Sequence, residues 1–311
     1  MSAAFESLLP VFLLLALGYL LRWREVVPLD MWRGIELLGY WVFFPALLAQ
    51  TLISADIQSL PLAGITFTML ASFATMAGGL LLLRQPILAG LGITAPSFSS
   101  IFQNTTRWNG FIALPILAKL HGELGVALVA VVLAVLVPVA NLAAVYVVAQ
   151  NAGTEPLPAR QLLYVIFRNP FIWATTLGLL INLSGIPIYA PVLSTLTMLG
   201  SAAIACGLLM VGAGLRVEEI RRPSPAVWLG TVLKLLGMPF LVTLWSLVFG
   251  IEGVAFLACI VCAGVPTAMS AYVLARQMGG DAPLVATTVT LQTALSFITI
   301  PLLIWLAQSF K

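Results

Sequence analysis

Charged residues are scarce in this sequence. Asp, Glu, Lys and Arg make up 8% of the 311 residues, whereas a soluble domain carries about 25%. Hydrophobic residues make up 61%. Because so few polar groups cannot cover the surface of a folded chain, we expect that surface to face lipid, as a multi-pass protein of the inner or plasma membrane. No basic patch with interleaved aromatic residues is present, so nucleic acid is not an expected partner.

Residues that most catalytic and metal sites require are missing as well. His121 is the only histidine, and the three cysteines, Cys206, Cys259 and Cys262, lie within apolar runs. The sequence has no HExxH motif, no Ser–His arrangement and no paired aspartates within apolar segments, so a membrane enzyme is not expected. Cys259 and Cys262 have CxxC spacing without a second ligand pair, and we interpret them as apolar helix residues. We expect no metal and no cofactor.

Apolar segments fill most of the chain. Ten of them are long enough to span a bilayer, at 5–21, 35–54, 61–83, 97–118, 123–149, 163–184, 190–214, 226–249, 253–275 and 283–308. Every second link between the predicted spans is basic, and basic links are typically cytoplasmic. They carry Arg22, Arg24, Arg33, Arg84, Arg160, Arg168, Arg216, Arg221, Arg222 and Arg276, whereas Lys119 and Lys311 fall on the opposite side. Both termini are therefore predicted on the non-cytoplasmic side.

The two halves of the chain repeat one pattern. The matching pairs, whose residue numbers differ by 157 to 161, are Pro10–Gly18 with Pro170–Gly178, Leu38–Gly39 with Leu199–Gly200, and Leu117–Lys119 with Leu274–Arg276. Each half holds five spans, and an odd number inverts the second copy in the membrane. The sequence therefore predicts an all-α membrane protein of two inverted five-helix repeats, 1–150 and 162–311, joined by a cytoplasmic linker at 151–161.

Two spans contain polar or helix-breaking residues at their centre. The fourth is polar up to Arg107–Gly110, and the ninth is interrupted at Gly264–Thr267. Each break alone is also typical of a proline kink, but a matched pair in inverted repeats is typical of a transporter binding site. The breaks are attributed to Pro115 and Pro266. The predicted substrate contacts at the breaks are Asn104, Arg107, Asn109, Gly110, Pro266, Thr267 and Ser270.

Two cations lie deep in the predicted spans. Arg107 is beside the first break and Lys234 is in the middle of the eighth span, where no Asp or Glu stands at comparable depth. An anionic substrate would supply the missing counter-charge, which makes Lys234 a candidate for charge coupling. Snorkelling or carbonyl contacts for Lys234, and a position near the inner surface for Arg107, are alternatives.

Isolated polar residues interrupt three other spans. Thr51 in the second span and Asn141 in the fifth are predicted as further substrate contacts, and Gln292 stands in the tenth. Each is also typical of a helix–helix hydrogen bond, and the sequence leaves both interpretations open.

The motifs around the breaks resemble those of the auxin efflux carrier family. Residues 107–115, RWNGFIALP, resemble the family motif RNTGFIGLP, and 266–276, PTAMSAYVLAR, resemble the family's ninth-span crossover. Pro138-x-x-Asn141 resembles the family's fifth-span motif. One departure is that Trp108 stands where the family has asparagine, with Asn109 one position later.

The resemblance implies a fold like that of sodium/proton antiporters and bile-acid symporters, with helices 4 and 9 broken and crossing. It further implies a scaffold domain of helices 1, 2, 6 and 7, a transport domain of helices 3–5 and 8–10, elevator-type alternating access and a homodimer. The implied cargo is a small organic anion, such as malonate, malate or an auxin-like acid. A membrane-embedded sensor or a channel without turnover is the alternative function.

Overall fold

The structure, a computed structural model, describes residues 2–55, 61–152, 169–217, 220 and 223–309. Within these ranges the chain is helical and has no β-strand. The predicted linker lies outside the described residues from 153 onwards, and residues 151–152 still belong to a helix. Arg160, Arg168, Arg221, Arg222 and Lys311, which contributed to the predicted orientation, also lie outside them.

Fourteen helices are described in these ranges. They are α1 Ser2–Trp23, α2 Leu29–Leu38, α3 Phe44–Ser54, α4 Leu62–Leu82, α5 Arg84–Leu91, α6 Ala95–Thr106, α7 Gly110–Ala152, α8 Pro170–Ser184, α9 Ala190–Gly214, α10 Pro225–Val232, α11 Met238–Phe249, α12 Gly253–Gly264, α13 Ser270–Met278 and α14 Ala282–Ser309. A π-helical turn at Gly39–Phe43 joins α2 to α3, and another at Leu233–Gly237 joins α10 to α11.

Six helical segments are long and apolar enough to cross a membrane. They are Asp30–Ser54, Leu62–Leu82, Ala95–Ala152, Ala190–Gly214, Pro225–Phe249 and Ala282–Ser309, and three shorter apolar helices accompany them. This is consistent with the predicted membrane protein, whereas the count of ten spans stays a prediction. The second segment begins about six residues earlier than predicted, because the amphipathic α2 continues into α3 through a π turn.

Helix α7 is two helices joined by a tight corner. His121 and Gly122 have non-helical backbone angles, and Gly122 adopts φ 56° and ψ −138°, a conformation that favours glycine. A β-carbon at Gly125 would overlap the carbonyl of Leu117, so the two helices on either side of the corner approach each other closely. The corner falls in the predicted link between the fourth and fifth segments.

Helix α1 packs along α9, and α3 packs along α8. Gly18 in α1 lies against the main chain of Leu209, and Gly178 in α8 lies against the main chain of Ala49. Glycines let helix backbones approach closely in a bilayer, where van der Waals packing replaces the hydrophobic effect as the driving force. The residue numbers of the two contacts differ by 160, which is the offset of the sequence repeat.

The end of α9 is capped by a side chain from α1. Arg22 Nη1 donates to the carbonyl oxygens of Ala213, at 2.6 Å, and Leu215, at 3.0 Å. A helix leaves its last carbonyls without intrahelical partners, and a cation at this end also interacts favourably with the helix dipole.

The end of α3 is capped by a side chain from α8 in the same way. Asn182 Nδ2 donates to the carbonyl oxygens of Ile53, at 2.9 Å, and Ala55, at 2.8 Å. Each of these three residues is numbered 160 lower or higher than its counterpart in the Arg22 cap. The repeat therefore extends from the residue pattern to the hydrogen bonds at helix ends.

We expect Gly18→Ala to destabilise the protein, because the added methyl would overlap the main chain of Leu209, which cannot move without shifting α9. Overpacking of this kind costs about 1–3 kcal/mol. Thermal unfolding in detergent should show a lower midpoint than wild type. The matched control is Gly78→Ala in α4, where a methyl meets nothing within 4 Å. Equal midpoints for Gly18→Ala and wild type would contradict the close packing of α1 on α9.

Candidate functional site

The first break lies halfway through an apolar segment. Helix α6 has twelve residues and is about 18 Å long at 1.5 Å per residue. Residues Arg107–Asn109 are non-helical, and α7 begins at Gly110. Since the hydrocarbon core of a bilayer is about 30 Å thick, the chain is interrupted near mid-depth.

Pro115 does not form this break, which corrects the expectation from the sequence. It lies buried inside α7, five residues after the helix begins. A proline this close to a helix start removes one backbone bond, the one its N–H would make to Phe111, and the helix continues. The interruption comes from Arg107–Asn109 instead.

The second break has the same construction. Helix α12 ends at Gly264, residues 265–269 are non-helical, and α13 begins at Ser270. Helix α12 also has twelve residues, so this break too lies about 18 Å along the segment. Pro266 and Thr267 both lie within the interruption.

The two breaks contact each other directly. Thr267 Oγ1 donates to the carbonyl oxygen of Asn104, which is near the end of α6. Arg107 Nη2 donates to Ser270 Oγ at 3.0 Å, across to the first residue of α13. The structure therefore brings together residues that are 163 positions apart in the sequence.

Arg107 is held by neutral acceptors alone. Its Nη2 also donates to Asn141 Oδ1 at 2.7 Å, and its Nη1 lies 3.5 Å from Gln103 Oε1. Among the described residues no carboxylate forms an ion pair with it. A guanidinium carries five N–H donors and a full positive charge, so both charge and donors remain for a further partner. Because lipid offers no hydrogen bonds, the partly exposed edge of this cluster must face water.

Asn109 and Gly110 form the start of α7. Asn109 Oδ1 accepts from the N–H of Phe111 at 3.0 Å, so this buried side chain caps the helix. Gly110 lies against Leu133, whose side chain would be 3.2 Å from an added β-carbon. The structure therefore gives both residues a role in building the break, and substrate contact stays a prediction for both.

The carboxamide of Asn104 has no partner among the described residues. The residue is 0% exposed, and neither its Oδ1 nor its Nδ2 makes a hydrogen bond in this part of the chain; Gln103 Nε2, next to it, is also unpaired there. Leaving one such buried group unsatisfied costs about 1–3 kcal/mol. These amides therefore have hydrogen-bonding capacity for a water molecule, an ion or a solute at the junction of the two broken helices.

Gln292 in α14 joins the two breaks. Its Oε1 accepts from the N–H of Thr267 at 2.8 Å, and its Nε2 donates to the carbonyls of Asn104, at 2.9 Å, and Gly230, at 3.1 Å. The sequence left open whether this amide makes a helix–helix hydrogen bond or contacts substrate, and the structure shows hydrogen bonds to other helical segments. Which groups it joins could not be predicted, because all three partners are backbone groups of other segments.

Lys234 lies in the π turn between α10 and α11. It is 1% exposed. No hydrogen bond or ion pair joins it to another described residue. The turn packs against α6, α12 and α14, so Lys234 belongs to the surroundings of the two breaks.

Thr51 lies elsewhere. It is a buried residue of α3, the helix that packs along α8, and it makes no hydrogen bond with the described residues of the two breaks. The structure thus assembles the other predicted contacts around the breaks and leaves Thr51 in the α3–α8 pair. Its predicted contact with substrate stays a prediction.

Asp281 ties the outer ends of the broken helices together. Its Oδ2 accepts from Ser97 Oγ at 2.8 Å, its Oδ1 accepts from the N–H of Leu284 at 3.0 Å, and its own N–H donates to Ser100 Oγ at 2.9 Å. Ser97 and Ser100 lie in α6, and Asp281 precedes α14. Helices α6 and α13 are thereby connected at both ends.

Comparisons with known proteins agree with these observations. The sequence profile of the membrane transport protein family matches residues 3–304. An uncharacterized transporter of Methanothermobacter thermautotrophicus is 25% identical over 305 residues, which covers 96% of each chain.

We expect Ser270→Cys to react with a membrane-impermeant thiol reagent at least about tenfold faster than Thr267→Cys, because Ser270 is exposed beside Arg107 and Thr267 is buried. Both variants are made with Cys206→Ala, since Cys259 and Cys262 are fully buried. Rates are measured in sealed vesicles of both orientations, and the reaction should occur from the cytoplasmic side. Equal rates for the two thiols would contradict a water-filled opening at Arg107.

Proposed function

The chain belongs to the membrane transport protein family, and from that premise we propose that it is a secondary transporter of a small organic anion, a carboxylate, which binds where the two breaks meet. The family and its relative point to a transporter rather than an enzyme. The identity of the cargo is argued from the site.

The observation that carries this proposal is the uncompensated charge of Arg107. A cation at the centre of a bilayer costs about 2.5–3.5 kcal/mol on insertion scales, and the neutral acceptors Asn141 and Ser270 leave its charge unmatched. A carboxylate matches a guanidinium with two parallel hydrogen bonds. An incoming carboxylate would therefore supply the counter-charge that the described part of the chain does not.

Two helix starts strengthen the preference for an anion. Helix α7 begins at Gly110 and α13 begins at Ser270, both beside Arg107. A helix N-terminus carries a partial positive charge of about half a unit and presents free N–H groups. The unpaired amide of Asn104 would then bind polar atoms elsewhere on the same solute.

The arrangement that we propose is ten spans in two inverted repeats, with α6–α7 and α12–α13 crossing at their breaks. The two matching caps, made by Arg22 and Asn182, support the repeat. The scaffold domain would comprise α1–α3, α8 and α9, and the transport domain would comprise α4–α7 and α10–α14. Close backbone packing within the first group and the hydrogen bonds between the breaks within the second support that division.

Elevator-type movement of the transport domain, assembly as a homodimer and non-cytoplasmic termini complete the proposal. The movement and the dimer rest on the resemblance to the auxin efflux carriers, and the termini rest on the placement of basic links. Lys234, buried near the breaks without a carboxylate partner, would balance charge as the anion binds.

We expect Arg107→Gln to lower carboxylate flux by at least about 100-fold, since removing one partner of a charged hydrogen-bonded pair costs about 3 kcal/mol or more. A panel of mono- and dicarboxylates is first screened by thermal shift, because a true ligand stabilises the fold by mass action. Flux of the best ligand is then measured in proteoliposomes.

The matched control is Lys119→Gln, which removes an exposed cation from the same broken segment and should leave flux unchanged. Equal flux in Arg107→Gln and wild type would contradict the site. Ligand stabilisation without saturable, exchangeable flux would assign the alternative function, a sensor.

We expect carboxylate flux to depend on membrane potential, because no Asp or Glu among the described residues stands at the breaks to carry a compensating proton. Moving one charge through 100 mV changes the free energy by about 2.3 kcal/mol. A potassium diffusion potential is set with valinomycin, once with each sign. One sign should accelerate uptake of the carboxylate, and the opposite sign should slow it. Flux that ignores the imposed potential would contradict net transport of charge.

A further inference from the structure

Three interrupted helices meet at one side chain. The carbonyl of Asn104 is near the end of α6, the N–H of Thr267 lies within the second break, and the carbonyl of Gly230 lies one turn before the π turn. The interruptions leave the carbonyl of Asn104 and the N–H of Thr267 without their usual intrahelical partners, whereas the carbonyl of Gly230 also accepts from the N–H of Leu233. Gln292 bonds to all three groups, and it is itself fully buried.

The chemistry of a carboxamide fits this task. It offers one oxygen acceptor and two N–H donors in a single plane. Here the oxygen takes the N–H of Thr267 and the nitrogen serves the carbonyls of Asn104 and Gly230, so the three partners leave no choice of amide orientation. Leucine or methionine would fill the volume without serving any of the three groups.

The main chain at Asn104 is therefore held from two directions. Its carbonyl accepts from Gln292 Nε2 and from Thr267 Oγ1, whereas its side chain is left unpaired. Arg107 follows three residues later, at the point where α6 ends. A constraint on the backbone at Asn104 thus sets the directions of both the unpaired amide and the guanidinium.

We propose that Gln292 is the positioning residue of the anion site, a buried brace that holds the two breaks and the Lys234-bearing helix in one fixed arrangement. The proposal rests on the proposed function for the identity of the bound anion, whereas the brace itself does not depend on it. Gln292 touches no solute; it acts through Asn104 and Arg107.

The third bond of the brace reaches the helix that carries Lys234. Gly230 lies four residues before Lys234, and Thr288, one turn before Gln292, packs against Gly230. Loss of the brace would therefore change the spacing between Arg107 and Lys234 as well as the geometry of each break. Because Gln292 bonds to all three segments, a shift of one segment would move the other two.

Amide hydrogen exchange tests the brace without any ligand. In purified Gln292→Leu, peptides that cover 104–109, 230–234 and 265–269 should exchange at least about tenfold faster than in wild type, while peptides of α1 and α9 should not change. Thr293→Val is the matched control: Thr293 is the next residue, is also buried, and its hydroxyl donates to the carbonyl of Val289 in its own helix. Unchanged exchange in the three segments, or an equal effect of Thr293→Val, would overturn the brace.

Gln292→Glu is expected to give a different pattern of amide hydrogen exchange, and it replaces Gln292→Leu in the test if the leucine variant does not fold. It keeps an oxygen for the N–H of Thr267 and has at most one O–H donor, so at least one of the carbonyls of Asn104 and Gly230 loses its bond to residue 292. Exchange should then rise around Asn104, around Gly230 or around both, and stay near wild type at 265–269. A rise at 265–269 as large as in the other two segments would contradict the assigned bonds.

Uptake of radiolabelled malonate into proteoliposomes tests the positioning role. The KM of Gln292→Glu should rise at least about tenfold, equivalent to about 1.4 kcal/mol, with the maximal rate within about threefold of wild type and Thr293→Val unchanged. A lower maximal rate with an unchanged KM would show a structural role only. If wild type takes up no malonate, the proposed cargo fails, and the exchange pattern still decides whether Gln292 braces the breaks.

Discussion

A helix that is interrupted inside a bilayer leaves backbone N–H and C=O groups without hydrogen-bond partners, because lipid offers none. The rest of this structure depends on how the protein supplies those partners. Asn109 caps the start of α7, while Thr267 and Gln292 take the carbonyl at the end of α6. The two breaks must meet, because each supplies partners for the other. A polar junction then exists at a depth where lipid alone would exclude it.

Charge at the junction is the second consequence. Arg107 and Lys234 lie there without carboxylate partners among the described residues, although Asp281 is nearby in the same bundle. Both oxygens of Asp281 already accept hydrogen bonds, from Ser97 and from Leu284, at the far ends of the broken helices. The acid therefore stabilises the packing of the broken helices and forms no ion pair with either cation.

The sequence predicted where the two helices are interrupted, but few of the hydrogen bonds that join the interrupted helices. The breaks at 107–110 and 264–267 could be predicted because glycine, proline and asparagine stand inside apolar runs. The prediction that Pro115 forms a break was wrong, since this proline removes only one backbone hydrogen bond and the helix continues through it. The partners of Gln292 could not be predicted, because they are backbone groups brought together only by the fold. The link from Asp281 to α6 is likewise a tertiary contact that no local pattern encodes.

The central claim is that an anion completes the charge of Arg107 where the broken helices meet. An experimental structure of the protein with a bound carboxylate, determined by electron cryo-microscopy in lipid nanodiscs, tests it most directly. Density for the carboxylate should lie within hydrogen-bond distance of Arg107 and Asn104, between the starts of α7 and α13. Density at another place, or an Arg107 paired with a carboxylate of the protein itself, would contradict the claim.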